Sequence, residues 1–161
     1  MREAFRQYPP DSGESLWEQV EALDEFGRAG TILIYMALPD EVPTTAFIEK
    51  WRGEKRFVIP RVKGEGLELK VYDPEAIQSG YRGIPEPSDK AEDVSPSEID
   101  LALIPGVAFD REGHRMGRGK GFYDRFLPSI HCPSVAICQA WRIVGNVPTD
   151  PWDKTVDIVL G

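Results

Sequence analysis

One segment, residues 101 to 127, constrains the fold of this chain more than any other. Leu101 to Phe109 is a nearly uninterrupted apolar run, as expected of a parallel strand covered on both faces. Asp110 to Gly121 contains four glycines and four Arg or Lys residues, which is typical of a loop. Phe122 to Leu127 is a short apolar-periodic segment that Pro128 ends. The sequence therefore predicts a buried strand, a basic glycine-rich loop and the start of a helix.

The loop has the composition of a site that holds a phosphate chain. Its closely spaced glycines let backbone N–H groups approach an anion without interference from side chains. The start of the following helix adds partial positive charge, while arginine supplies a planar fork and lysine a movable point charge. The residues of this predicted site are Arg115, Gly117, Arg118, Gly119, Lys120 and Gly121. The alternative interpretation is a surface turn with solvated charges.

Two common phosphate motifs are excluded by the residues themselves. A Walker A motif requires Ser or Thr after its lysine, whereas Gly121 follows Lys120 here. A dinucleotide fingerprint needs its third glycine one position later than this loop has it. Asp124, one turn into the predicted helix, is an acid among cations. Such a carboxylate is suited to holding Mg²⁺ against phosphates.

The same residues resemble a known signature. Leu103 to Asp110, followed by Gly113 to Asp124, is similar to the signature of the 5-formyltetrahydrofolate cyclo-ligase (5,10-methenyltetrahydrofolate synthetase) family. Further segments resemble that family in the expected order, and they are Ile34-Tyr35, Pro39 to Thr44, Gly83 to Pro87, Val147-Pro148, and Asp153 with Val156-Asp157. The resemblance covers about residues 15 to 160.

The resemblance implies a fold and a reaction. The family's fold is a three-layer, Rossmann-like α/β domain with a mainly parallel central sheet flanked by helices, which agrees with the alternation of apolar strands and helices along this chain. The implied reaction is the cyclisation of 5-formyltetrahydrofolate to 5,10-methenyltetrahydrofolate, with ATP as co-substrate and with Mg²⁺. It proceeds through phosphorylation of the formyl oxygen and releases ADP and phosphate. We expect a single domain over residues 1–161.

The resemblance also implies roles for individual residues. Lys120 and Arg118 are expected to act on the transferring phosphoryl group. The residues expected to bind ATP are Arg2, Arg6, Arg115, Met116, Gly117, Arg118, Gly119, Lys120, Gly121, Phe122 and Tyr123. The residues expected to bind the folate are Met36, Glu41, Arg118, Gly119, Lys120, Gly121, Phe122 and Tyr123. Asp124 and Asp157 are expected to hold Mg²⁺.

The amino-terminal segment departs from the family pattern. Relatives begin with a longer basic helix whose Lys-x-x-x-Arg pair contacts the ATP phosphates, and Arg2 and Arg6 keep that spacing with Arg in place of Lys. The chain from Arg6 to Glu41 is about a dozen residues shorter than the family pattern, and two prolines interrupt any helix there. Residues 1–14 are therefore predicted to be an irregular, shortened segment.

Four positions concern the folate pocket and the end of the chain. Tyr81 and Glu86 lie in a proline-rich segment that the resemblance places near the folate. Phe122 stands where the family usually has Tyr. Asp157 interrupts the final apolar strand, where a buried carboxylate would be costly unless it were paired or bound to a metal.

Local patterns predict the remaining elements. Ser15 with Glu18 fits a capping box for a helix that ends near Gly27 or Gly30. Apolar runs predict four further strands, which are Thr31 to Leu38, Phe57 to Val62, Leu67 to Val71 and Ser134 to Cys138. The second and third of these are expected to form a hairpin.

Composition narrows the class of protein. A hydrophobic content of 41% and a charged content of 29% describe an ordinary soluble globular protein, and the net charge of −8 argues against binding to nucleic acid or anionic membranes. No apolar run approaches the ~20 residues that cross a membrane, and the first residues lack the apolar core of a signal peptide. Two cysteines are too few for a disulfide scaffold. We expect a cytoplasmic monomer or weak dimer that binds small molecules.

Three functions from different classes remain open at this point. The first is an active cyclo-ligase. The second is a non-catalytic relative that binds folate or nucleotide for storage or regulation. The third is a sugar-phosphate isomerase or transferase on a similar sheet, because a fold does not determine a function. Release of ADP from ATP only when 5-formyltetrahydrofolate is present separates the first from the others.

Overall fold

Six strands form the central sheet of the chain, whose computed structural model describes residues 13–80, 83–150 and 153–161. In spatial order they are β10 (Ile158–Leu160), β9 (Ser134–Ile137), β6 (Leu101–Ile104), β1 (Thr31–Leu33), β2 (Arg56–Lys63) and β3 (Gly66–Val71). Neighbouring strands pair in parallel except β2 and β3, which form an antiparallel hairpin. The prediction of a mainly parallel sheet is confirmed.

Helices cover both faces of this sheet. They are α1 (Glu14–Glu21), α2 (Asp24–Arg28), α3 (Thr45–Trp51) and α4 (Phe122–Phe126). Successive strand residues point to opposite faces, so Ile32 joins the core under α1, α2 and α3. Leu33 joins the second core, which contains Phe126 of α4. The central strands are apolar throughout because they are buried on both sides, as expected of a three-layer α/β domain.

The apolar run from Leu101 to Phe109 is not one strand, so this prediction is wrong. β6 ends at Ile104, and β7 (Ala108–Phe109) pairs with β8 (Arg115–Met116) in a separate antiparallel hairpin. Pro105 has no N–H group to donate to a sheet, and the chain leaves the sheet there. Residues 101 to 106 are all buried, so hydrophobicity alone did not reveal the break.

The amino-terminal helix and β1 also differ from the predictions. α1 begins after Gly13, whose φ is 75°, and no side chain caps it, so the predicted capping box of Ser15 and Glu18 is wrong. Leu23 has an extended backbone and separates α1 from α2. β1 ends at Leu33 rather than at Leu38. The predicted hairpin of β2 and β3 and the predicted strand at β9 are confirmed.

The parallel strands direct several loops to one edge of the sheet. The segments that follow β1, β6 and β9 leave at the carboxyl ends of these strands, which is the edge where open α/β sheets bind ligands. A small antiparallel sheet of β4 (Ile77–Ser79) and β5 (Pro85–Pro87) contacts β2. Among the residues that the structure describes, no helix has the length and apolar character needed to span a membrane.

Candidate active site

A cleft opens among the segments after β1 and β6, the β2–β3 hairpin and the β4–β5 sheet. The predicted site residues that line it are Met36, Glu41, Glu86, Arg115, Gly117, Arg118, Lys120, Gly121, Phe122 and Tyr123. The lining residues to which the sequence analysis gave no individual role are Tyr35, Leu38, Pro60, Arg61, Val62, Leu67, Ile84, Pro85, Pro105 and Gly106. The glycine-rich loop and the residues expected to bind folate therefore share one cleft.

The 117–121 loop presents unpaired backbone donors. None of its N–H groups donates a hydrogen bond to another residue in the described part of the chain. Gly119 has a φ of 96° and Gly121, which precedes α4, has a φ of 71°. These are left-handed conformations that glycine adopts without a steric penalty. A short run of free N–H groups in such a conformation is suited to binding an anion.

The two cations predicted to act on the phosphoryl group differ in their pairing. Lys120 is exposed and forms no hydrogen bond or ion pair with any residue that the structure describes. Arg118 donates from Nη2 to both carboxylate oxygens of Asp40, at 2.9 and 3.0 Å. The same nitrogen lies 3.7 Å from Oε2 of Glu41. Lys120 is therefore free to meet a ligand, whereas Arg118 is held by a counter-ion.

Asp40 lies between two guanidinium groups, those of Arg118 and Arg142. Burial alone would raise the pKa of Asp40, but the hydrogen bonds and charges of both arginines outweigh it and bring the pKa below its ordinary value. Asp40 is therefore a carboxylate at neutral pH. Sequence reasoning missed Asp40 and Arg142, because nothing in their local surroundings indicated that they would pair.

Arg115, just before the 117–121 loop, is buried and contacts Pro105 and Tyr123. Its side chain is 8% exposed, and its Nε donates to the carbonyl of Pro105 at 2.6 Å. The guanidinium carbon lies 4.9 Å from the centre of the Tyr123 ring, within the range of a cation–π contact. Burial lowers the pKa of Arg115 below the usual arginine value. Arg115, which was predicted to bind phosphate, therefore also has a structural role in the wall of the cleft.

Glu41 is a nearly buried carboxyl group in the wall of the cleft. It is 9% exposed, and its Oε1 accepts a hydrogen bond from the N–H of Leu38 at 2.8 Å. Burial raises the pKa of Glu41 above its ordinary value. The neighbouring wall contains Tyr35, whose hydroxyl donates to the carbonyl of Val42 at 3.1 Å, and the thioether of Met36. A carboxyl group beside apolar side chains can orient a flat, polar-edged ligand.

A second wall of the cleft is apolar and comes from the hairpins. Its apolar residues are Pro60, Val62, Leu67, Ile84 and Pro85. Arg61 also lies here, but its Nε donates to Glu68 at 2.7 Å and its Nη2 to Asp89 at 2.6 Å. The strand patterns gave Pro60, Val62 and Leu67 no role in a site, so they were missed, whereas Ile84 and Pro85 lie in the segment that the resemblance places near the folate. Pro60 was a sequence signal, because proline inside a strand is unusual and marks a position where the strand's N–H group is not needed for pairing.

Some predicted residues lie outside the lining of the cleft, and they are Met116, Gly119, Asp124 and Asp157. Asp124 is exposed in α4, next to the loop, with Oδ1 3.5 Å from Nη1 of Arg115. Over the described ranges, no three His, Cys, Asp or Glu side chains converge on a possible metal site. A nucleotide brings Mg²⁺ that needs only one or two protein carboxylates besides its phosphates, and Asp124 fits that need.

Asp157, the second residue expected to hold Mg²⁺, lies next to β10 and not beside the 117–121 loop. Asp157 precedes β10 and lies beside Ser134, whose N and Oγ donate to Oδ2 of Asp157 at 2.9 and 3.3 Å. Ser134 begins β9, whereas the 117–121 loop follows the carboxyl end of the parallel strand β6. Asp157 is therefore at the opposite edge of the sheet. It is exposed and hydrogen-bonded to Ser134, and its role toward Mg²⁺ stays a prediction.

Three predicted residues, Arg2, Arg6 and Tyr81, lie outside the described residues. Their roles stay predictions.

The comparisons with known proteins agree with the resemblance noted from the motifs. The model of the 5-formyltetrahydrofolate cyclo-ligase family matches residues 3–161. The 5-formyltetrahydrofolate cyclo-ligase of Haemophilus influenzae is 32% identical over 158 residues, which cover 92% of this chain and 84% of that protein. The enzyme of the same name from Escherichia coli K12 is 31% identical over 141 residues, covering 82% of this chain and 78% of that protein.

Solved structures give the same result. The 5,10-methenyltetrahydrofolate synthetase of Aquifex aeolicus, determined by NMR, matches with a TM-score of 0.82 and 32% identity, over 92% of this chain and 76% of that one. The synthetase of Mycoplasma pneumoniae matches with a TM-score of 0.67 and 27% identity, over 88% of this chain and 79% of that one. The chain described here therefore belongs to the 5-formyltetrahydrofolate cyclo-ligase family of enzymes.

Proposed function

We propose that this protein converts 5-formyltetrahydrofolate to 5,10-methenyltetrahydrofolate with consumption of MgATP. One observation carries the proposal. The 117–121 loop, with unpaired N–H groups and the unpaired Lys120, borders the same cleft as the nearly buried Glu41 and a wall of apolar side chains. A polyphosphate and a flat, partly apolar heterocycle are the two ligands that such surfaces fit.

The reaction explains why a phosphate site must adjoin a folate site. An N-formyl amide is a poor electrophile because resonance stabilises it and oxide is a poor leaving group. Transfer of the γ-phosphoryl group of ATP to the formyl oxygen converts that oxygen into a good leaving group and releases ADP. The neighbouring amine nitrogen of the folate then attacks the formyl carbon and loses its proton to solvent. Phosphate departs with the former formyl oxygen as the ring closes.

The residues of the loop supply positioning and charge stabilisation. Lys120 and Arg118 bind the oxygens of the transferring phosphoryl group, where charge spreads during transfer. The N–H groups of Gly117, Gly119 and Gly121 donate to the triphosphate, and Arg115, anchored by its hydrogen bond to the carbonyl of Pro105, lies beside them. Preorganised donors are effective because they need no reorganisation when the charge moves.

Metal binding is assigned to one residue of the described chain. Mg²⁺ bound with the nucleotide would neutralise charge on the phosphates. Asp124 is the carboxylate that would contact it, because it is exposed at the end of the loop. The folate end of the cleft is assigned to Met36, Glu41 and Tyr123, which line it together.

A steady-state assay tests the proposal directly. The purified chain is incubated with MgATP and 5-formyltetrahydrofolate, and methenyl formation is followed by ultraviolet absorbance while ADP is measured separately. We expect equal amounts of ADP and methenyl product, and no ADP from ATP alone. Binding of both ligands without ADP release would favour a non-catalytic storage or regulatory protein instead. ADP release independent of the folate would contradict both functions.

A further inference from the structure

Arg142 is a buried cation that joins three segments at the carboxyl edge of the sheet. It is 1% exposed and lies in a 3₁₀ turn, Ala140–Arg142, shortly after β9. Its Nε donates to Oε1 of Gln139 at 2.7 Å, and its Nη1 to the carbonyl of Val107 at 2.9 Å. Its Nη2 donates to the carbonyl of Asp40 at 2.7 Å and to Oδ2 of the same residue at 3.2 Å.

These bonds hold both the backbone and the side chain of Asp40. The carbonyl of Asp40 also accepts a hydrogen bond from Nε2 of Gln139 at 3.1 Å. On its other side, the carboxylate of Asp40 accepts from Nη2 of Arg118 at 2.9 and 3.0 Å. A continuous chain of contacts therefore runs from buried Arg142 through half-exposed Asp40 to Arg118 on the 117–121 loop.

We propose that Arg142, acting through Asp40, positions Arg118 for nucleotide binding. The inference rests on the proposed function, since it takes Arg118 to contact the phosphates of ATP. Arg142 and Asp40 are positioning residues, because Arg142 does not line the cleft and Asp40 reaches the site only through Arg118.

Charge explains why a second arginine is needed. Asp40 and Arg118 alone would form a neutral pair, and Asp40 would repel a polyphosphate. Arg142 adds a compensating positive charge within hydrogen-bonding distance of the same carboxylate. Arg142, Asp40 and Arg118 together keep one net positive charge, which also offsets the carboxyl group of Glu41, 3.7 Å from Nη2 of Arg118.

Preorganisation explains why holding Arg118 is useful. A free, exposed arginine side chain loses rotamer entropy when it binds a ligand. Arg118 lies between two glycines of the loop, Gly117 and Gly119, so its backbone offers little restraint. The contact with Asp40 orders the guanidinium before the nucleotide arrives. A small misplacement of such a group is costly in phosphoryl transfer.

Kinetics with each substrate varied separately test this proposal. Arg142→Met removes the charge and the hydrogen bonds while it keeps an unbranched side chain. We expect kcat/KM for MgATP to fall about 10- to 100-fold, while KM for 5-formyltetrahydrofolate stays nearly unchanged. In an Arg118→Met background the further change Arg142→Met should have no added effect, because the two residues act through one contact.

Three variants separate positioning from loss of folding. Lys70→Met is a matched control, since Lys70 is 3% exposed and donates to the carbonyl of Ala91 at 3.1 Å but does not line the cleft. It should lower stability and leave both substrate parameters unchanged. Arg142→Lys keeps the charge and should recover part of the loss. If Arg142→Met does not fold, Asp40→Asn should still show the selective loss for MgATP.

Specific outcomes would overturn the inference. They are multiplicative effects of Arg142→Met and Arg118→Met, an equal loss for both substrates, or a wild-type MgATP response in Asp40→Asn. A wild-type protein that binds MgATP but forms no methenyl product would contradict the proposed function alone. The coupling of Arg142 to Arg118 would then be measured as MgATP affinity by calorimetry. A wild-type protein that binds no MgATP would contradict both.

Discussion

The turn at residues 110–114 and the loop at residues 117–121 belong to one glycine-rich segment, yet they use their polar groups in opposite ways. In the turn, Asp110 is 2% exposed. Its Oδ1 accepts from the N–H groups of Glu112 and His114, each at 3.0 Å. Its Oδ2 accepts from the N–H of Val147 at 3.0 Å and lies 2.8 Å from Nδ1 of His114. The carboxylate of Asp110 and the N–H groups around it are therefore hydrogen-bonded within the protein.

The 117–121 loop is the opposite case. Its N–H groups and the ammonium of Lys120 have no partner within the residues described. Unpaired donors are tolerated here because the loop is at the surface, where water satisfies them. Donors of this kind can be satisfied by an anion in place of water.

The difference shows that glycine content and charge do not by themselves mark a binding site. Both parts of the segment contain Gly and Arg, but a buried carboxylate organises only one of them. The turn closes the β7–β8 hairpin and is held by the hydrogen bonds of Asp110. The loop that leaves this hairpin is then held in position with its donors exposed. The distinction depends on Asp110, whose surroundings are set by the folded chain.

The strongest test of this contrast is Lys120→Ala. We expect kcat to fall on the order of 10²- to 10³-fold, because the substitution removes the positive charge that stabilises the transferring phosphoryl group. The free energy of unfolding should change by less than about 0.5 kcal/mol, since the side chain is exposed. Steady-state methenyl formation and urea denaturation measure the two quantities.

Arg111→Ala is the matched control for that experiment. Arg111 is also exposed, and it forms no ion pair with the described residues, but it lies in the turn and not in the cleft. Its removal should leave kcat unchanged. Equal losses from Lys120→Ala and Arg111→Ala would mean that the loop acts only through its overall charge.

Asp110→Ala should affect stability more than chemistry. Three backbone N–H groups would lose their acceptor, so we expect a loss of about 2–4 kcal/mol in the free energy of unfolding. The kcat of the fraction that remains folded should fall far less than it does in Lys120→Ala. Unchanged stability would show that the turn is not the anchor of the segment.

Gly119→Ala tests whether the conformation of the loop matters. Gly119 has a φ of 96° with open space around it, so the added methyl group introduces backbone strain of about 1–2 kcal/mol. We expect a fall in kcat of about tenfold as the N–H groups reorient. Gly64→Ala, at a φ of 62° with equally open space in the β2–β3 turn, should lower stability similarly and leave kcat unchanged. An equal kinetic effect of both substitutions would contradict this prediction.

The smallest expected effect is a pH dependence of stability. Burial alone would raise the pKa of Asp110, but the N–H groups of Val147 and His114, and the His114 ring, outweigh it and lower the pKa. A lowered folded-state pKa means that the contribution is present above the unfolded value of about 3.9 and is lost as pH falls through the folded value. The stability difference between wild type and Asp110→Asn should therefore shrink below about pH 4. A difference that stays constant in urea titrations down to pH 3 would contradict it.

The residues predicted to form the phosphate end of the candidate site could be picked out because they are close together in the chain. The glycines and Lys120 lie within five consecutive residues, and their chemistry needs no distant partner. The folate end was accessible only through the resemblance, which indicated Met36 and Glu41. The apolar pattern around Asp157 suggested that this carboxylate would be buried. In the structure it is exposed beside Ser134.

Local sequence is enough to indicate buried strands, the hairpin of β2 and β3 and a basic glycine-rich loop, because periodicity, apolar runs and glycine spacing act over a few residues. Tertiary structure alone decided that the chain leaves the sheet at Pro105, that an apolar wall faces the cleft, and that Arg142 reaches Asp40. Asp40 and Arg142 are separated by 102 positions. Such a pair has no local signature, since it forms only when the ends of β1, β6 and β9 pack side by side.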